Sequence, residues 1–205
     1  MSWIDASTTF VHITRGGSED AVLAHGLRPA SYWVERAVGL SADERRRLLE
    51  WPRPVGCWLE LETGHRVWLR DQQPLLRGRL ANVLLPGTTV AEFMRGLNDR
   101  VYLYPDAAGA GPLVEKYRRI GDQSVLHLLA STILAAVGER VEFTRFNPGA
   151  IGRQAAPYKS LDQFVPAERW TGGRPREIAV VSPGIPADVL RSSLVDIVGY
   201  SGATA

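Results

Sequence analysis

Six short apolar runs constrain the fold most. They are FVHIT at 10–14, HRVWL at 65–69, VYLY at 101–104, SVLHLLAS at 124–131, RVEFTRF at 140–146 and REIAVV at 176–181. Each has the length and the β-branched or aromatic content of a strand. Helical patterns fall between them at 17–26, 31–51, 88–98, 111–121 and 133–138, and 186–198 reads as a helix or a helix plus a strand. Gly26 closes the first helix, and Ser41 to Glu44 forms a capping box inside 31–51. A threonine caps 88–98. Strands and helices mix without a βαβ rhythm, so the pattern predicts an α+β fold rather than a doubly wound sheet. The 205 residues suit one domain.

Composition removes several function classes. No apolar run reaches the roughly 18 residues of a membrane span, and the start MSWIDASTT lacks the basic and apolar segments of a secretory signal. The single cysteine, Cys57, has no internal disulfide partner, which predicts a reducing, cytoplasmic setting with a buried, inert thiol. The formal charge is +2, mildly basic, and only Lys116 and Lys159 are lysines. Arg45, Arg46 and Arg47 read as a solvated helix face. Histidines at 12, 25, 65 and 127 stand far apart, with no HExxH and no CxxC, so no metal site is expected. Walker, GxGxxG and GxSxG motifs are absent.

What remains is a set of polar residues on strands. His12 interrupts an apolar strand. Arg70-Asp71-Gln72 closes HRVWL. Tyr102 and Tyr104 share one face of VYLY by the period of two. Asn147 follows RVEFTRF, and Glu177 opens REIAVV behind the Gly-rich loop WTGGRPR. An acid, an imidazole, a guanidinium and aromatic faces suit an anionic ligand with a flat ring. Residues 147–175 lack regular pattern, as functional loops do. Trp170 in that loop is a candidate substrate contact. Trp33, Trp51, Trp58 and Trp68 read as core or near-core residues.

The pieces HIT…GL, WLRDQQPL, LNDRVYLYP, FTRFNPGAI and REIAVVSPGIP resemble an uncharacterised bacterial domain family of the form H-x-T…G-L…R-D-Q…L-N-x-R-V-F-F-W…N-x-G…E, over roughly residues 10 to 190. More distantly, their order is similar to that of the DarT family of DNA ADP-ribosyltransferases. Against the nearer, uncharacterised family this chain has Tyr in place of Phe-Trp, and YPDAAGAGP is richer in Gly and Ala.

The resemblance implies an ADP-ribosyltransferase-like split β-sheet with flanking helices and NAD as co-substrate in the cleft. It implies an acceptor that is a nucleic acid, DNA or RNA, or a nucleobase, as for a DarT-like toxin or defence enzyme with an antitoxin partner. His12 and Thr14 would then line the NAD cleft. Arg70 would hold a phosphate or the nicotinamide ribose, and Tyr102 or Tyr104 would offer a ring near nicotinamide. Glu177 would be the catalytic carboxylate. Asn147, Tyr158 and Trp170 would contact the acceptor. The same residues also allow a non-catalytic module that binds NAD, ADP-ribose or a nucleotide, or a plain interaction domain in which His12 and RDQ only satisfy buried polar groups.

Overall fold

A computed structural model describes residues 3–73, 75, 80–147 and 158–202. The chain is α+β, with antiparallel sheets. Strand β1 (Thr9–Arg15) pairs with β5 (Gln123–Leu129), which pairs in turn with β9 (Leu194–Tyr200). A second sheet has the order β4 (Arg100–Leu103), β8 (Glu177–Val181), β6 (Val141–Thr144) and β7 (Val165–Pro166). Strands β2 (Cys57–Glu60) and β3 (Arg66–Leu69) form a hairpin.

Among the described residues, one bridge joins the backbones of the two larger sheets. Val11 of β1 and Tyr104, just past β4, exchange both backbone hydrogen bonds at 2.8 Å. Beyond that pair the strands part. The core fills the space behind the junction with Phe10, Leu103, Leu128, Phe143 and Ile178, all fully buried. No helix among the described residues is long and apolar enough to cross a membrane.

Several expectations hold. Helix α1 (Glu19–His25) ends at Gly26. The helical stretch 31–51 divides into α2 (Ala30–Arg36) and α3 (Ala42–Glu50). The break has a physical cause: Ala37 bridges Leu61 and the Val38 N–H donates to the Glu60 carbonyl at 2.8 Å, so the chain leaves the helix to extend the hairpin edge. The capping box sits at the restart, where Ser41 and Glu44 bond reciprocally. Arg45 does not join a solvated face. Its guanidinium donates to the Val34, Glu35 and Ala37 carbonyls and so closes α2.

Helix α4 (Val90–Asn98) has a capping box between Thr89 and Glu92. Helix α5 (Ala107–Arg118) starts earlier than the expected 111 because Asp106 accepts from the Gly109 N–H at 2.5 Å. Strand β5 stops at Leu129, where α6 (Ala130–Val137) begins. The last segment is a helix plus a strand, α7 (Ala187–Ser193) followed by β9. Trp33 is core, but Trp51 is 41 % exposed and Cys57 only half-buried. The irregular segment keeps little regular structure over 158–175, and its first part, 148–157, lies outside the described residues.

Candidate functional site

The parting of β1 and β4 leaves backbone groups without a ladder. In an antiparallel pair hydrogen-bonded at Val11 and Tyr104, the next hydrogen-bonded pair is Ile13 with Tyr102. Here those two carbonyls take side-chain donors instead. His12 Nδ1 lies 3.0 Å from the Tyr102 carbonyl, and Arg70 Nη2 donates to the Ile13 carbonyl at 3.1 Å. A buried carbonyl left unbonded is costly, so the split is held open by an imidazole and a guanidinium. This answers why an apolar strand carries a histidine.

Since a carbonyl only accepts, Nδ1 must carry the proton, and Nε2 of the neutral ring is left as an acceptor. Enclosure, with a smaller push from Arg70, takes the His12 pKa down to about 4 against the pull of the Tyr102 carbonyl. The imidazole is therefore neutral at pH 7. The folded state prefers the neutral ring, so its contribution is intact above pH 6.5 and is lost as pH falls to about 4. Urea unfolding between pH 7 and pH 4 should show the wild type losing about 3 kcal/mol more than His12→Gln. Equal losses would show that His12 is not enclosed.

The opening between the sheets is a cleft of about 310 Å³. His12, Thr14, Arg70, Tyr102, Tyr104 and Glu177 all line it, and Asn147 does too. Among the described residues, six cationic side chains line the cleft against two carboxylates, Asp71 and Glu177. One of the six, Arg100, is engaged by Glu142 at 2.7 Å. For a chain of net charge +2 this concentrates positive charge in one place.

Glu177 enters from β8. It is 6 % exposed and opposite Thr144 of β6. The β4 register ends at Leu103 with Ile178, which puts Tyr104 beside Glu177 on the cleft side. Burial pushes the Glu177 carboxyl up to about 7, against the pull of Arg176 and Lys159. Lys159, 3 % exposed, is in turn pushed down to about 8 by burial, with Glu177 holding it up. Its Nζ donates to the Asn147 carbonyl at 3.5 Å, so Asn147 and Lys159 meet at the Glu177 end.

The two tyrosines differ. Tyr102 donates its hydroxyl to the Leu97 carbonyl at 3.1 Å and packs its ring on Phe164, so its part in the site is the carbonyl that orients His12. Tyr104 is the ring available near Glu177, and burial pushes its phenol up to about 12. Thr14 is 7 % exposed on the β1 wall.

Tyr158 and Trp170 are not among the lining residues. Tyr158 is 46 % exposed. Trp170 is committed to the fold: its Nε1 donates to the Gly173 carbonyl at 2.7 Å and its ring meets Phe143 edge-on at 5.7 Å. An indole in an irregular loop predicts a contact surface, but this one staples the loop to the core. No group of three or more metal-ligating side chains occurs among the described residues.

Three residues that the sequence does not advertise join the site. Tyr117 of α5, 5 % exposed, lies under the Arg70 guanidinium at 4.3 Å from ring centroid. Lys159 stands behind Glu177. Arg53, 7 % exposed, donates to the Arg70 carbonyl at 3.0 Å and to Asn98 Oδ1 at 3.0 Å, and Gln72 Nε2 donates to the same Asn98 oxygen at 3.1 Å. So RDQ and LNDR, far apart in sequence, are tied together through Asn98. Arg53 sits between Pro52 and Pro54, the one signal the sequence offers for a rigidly held backbone there.

No curated protein matches the chain. The family of unknown function DUF7002 matches residues 8–190, a span that contains every element of the cleft, and the chain belongs to that family.

Proposed function

We propose that this chain is an NAD-dependent ADP-ribosyltransferase with a split-sheet fold, acting on a nucleic acid or nucleobase in the manner of a DarT-like toxin or defence enzyme. One observation carries the reading. An imidazole on β1 and a buried carboxyl on β8 face a single cation-rich cleft opened between two antiparallel sheets. That set suits a dinucleotide: anionic in the middle, with ribose hydroxyls and a flat ring.

The chemistry assigns each group a task. The bond between nicotinamide nitrogen and ribose C1′ breaks, and its electron pair leaves on the nitrogen, which becomes neutral and needs no proton. Positive charge builds on the ribose as in glycoside cleavage. Ionised Glu177 stabilises that charge and accepts from the ribose 2′-hydroxyl. An acceptor nucleophile then bonds to C1′ and gives up its proton, with Glu177 as the base. His12 Nε2 accepts from a ribose hydroxyl, Thr14 supplies a further hydroxyl on the same wall, and the Tyr104 ring lies against nicotinamide. Arg70 holds phosphate.

The acceptor is tested by mass spectrometry of single-stranded DNA and of RNA after incubation with NAD. The expected product carries one ADP-ribose. Nicotinamide release that leaves both nucleic acids unmodified would move the acceptor to water, protein or a small molecule.

A further inference from the structure

Arg53 is a firmly anchored cation of the cleft, and its guanidinium is not fully used by the fold. Its backbone is held between two prolines. The Gln72 N–H donates to its carbonyl at 2.6 Å, and its own N–H donates to Gln72 Oε1 at 3.3 Å. Its Nε donates to the Arg70 carbonyl, and its Nη1 donates to the Leu48 carbonyl at 2.6 Å and to Asn98 Oδ1. Asn98 is fixed as well, since its Nδ2 donates to the Leu49 carbonyl at 2.7 Å.

The Arg53 Nη2 has no hydrogen-bond partner among the described residues. Neither have Arg70 Nε and Nη1. Both guanidinium groups line the cleft, and neither forms a salt bridge among the described residues. The carboxylate of Asp71 faces both at longer range while accepting from the Gln73 N–H at 3.2 Å. A cation 7 % exposed, without a carboxylate in contact, is expensive to bury. An anion between the two guanidinium groups would relieve that cost and take their free N–H donors in the forked geometry arginine favours.

We infer that Arg53, together with Arg70, holds the diphosphate group of the ligand that fills the cleft. Arg70 supplies donors held over the Tyr117 ring by its bond to the Ile13 carbonyl, and Arg53 supplies a donor held in place by Asn98. The pair therefore selects an organic diphosphate over a neutral nucleoside. The inference deepens the NAD reading, yet it requires the anion alone and no bond cleavage.

The test is calorimetric titration of the full chain with inorganic pyrophosphate at fixed ionic strength, with circular dichroism to verify folding. Wild type should bind saturably, Arg53→Gln should weaken binding tenfold or more, and Arg46→Gln, which removes an exposed arginine elsewhere, should stay within twofold. If Arg53→Gln does not fold, Arg53→Lys keeps the buried cation, loses the fork and should weaken binding at least threefold. No saturable binding by wild type, or variants at position 53 within twofold of it, would overturn the inference. Pyrophosphate binding that depends on Arg53 without any nicotinamide release would refute the transfer reaction and leave this site standing. The reverse result would refute the site and leave the reaction.

Discussion

Replacing Glu177 with glutamine should lower nicotinamide release about a thousandfold and, at pH 8, make the protein more stable. The first effect follows from removing a carboxylate placed against developing positive charge, a loss of a few kcal/mol in the transition state. The second follows from burial. Glu177 titrates near 7 in the fold and at an ordinary carboxylate value near 4.5 in the unfolded chain. The folded state thus binds the extra proton, and the stability it contributes, full below pH 4.5, is lost as pH rises through 7. The loss by pH 8 is about 3 kcal/mol. Glutamine fills the same space without ionising, so it should recover that amount at pH 8 and almost none at pH 4. Thermal melts at the two pH values measure it, at roughly 2–4 °C per kcal/mol for a chain of this size. A variant that is inactive but no more stable at pH 8 would show that Glu177 is not desolvated. This trade of stability for function is common where a charged group must sit in a closed site.

Gly26→Ala should cost about 4 kcal/mol or more, enough to leave little folded protein. Gly26 has φ of 90° and ψ of 177°, a region that only glycine occupies freely. A Cβ there would lie 2.2 Å from the Ile185 carbonyl oxygen, 2.8 Å from the Pro186 carbonyl carbon and 2.8 Å from the Ala187 nitrogen, all backbone atoms with nowhere to go. The crossing is tight because the Ile185 N–H donates to the Leu27 carbonyl at 2.8 Å, between two side chains of the main core. It also seats Arg28, whose guanidinium donates to the His25 and Pro183 carbonyls at the cleft edge. Gly39 is the control. Its φ is +74°, but nothing lies within 4 Å of a Cβ, so Gly39→Ala should cost only about 1 kcal/mol of backbone strain. Equal melting losses in the two variants would contradict the steric explanation.

The comparison of Gly26 with Gly39 also shows how much of this molecule its sequence discloses. A glycine after a helical pattern marks a helix end, and Gly26 does end α1. Nothing local says that its neighbour will be Ile185. The same holds at the site. Apolar runs and caps place β1, β3, β4, β8 and α4 within a residue or two, because strand and helix patterns are local. His12, Arg70, Tyr104 and Glu177 stand out as polar residues on those runs, and the fold brings them to one cleft. Trp170 stands out for the same kind of reason, but its partner Phe143 is a tertiary neighbour and the ring is used for packing. Arg53 and Tyr117 acquire their meaning only when RDQ and LNDR meet, a contact made across long sequence separations. Strand β2 is missed because CWLE is short and finds its pairing only in β3.

The most direct measurement is nicotinamide release from NAD by the purified protein across pH 6 to 8.5, with and without single-stranded DNA and RNA, beside Glu177→Gln. The predicted result is release that rises with pH through about 7 as Glu177 ionises, that a nucleic acid stimulates, and that the variant lacks. A folded wild-type protein that releases no nicotinamide under any of these conditions would contradict the transferase reading.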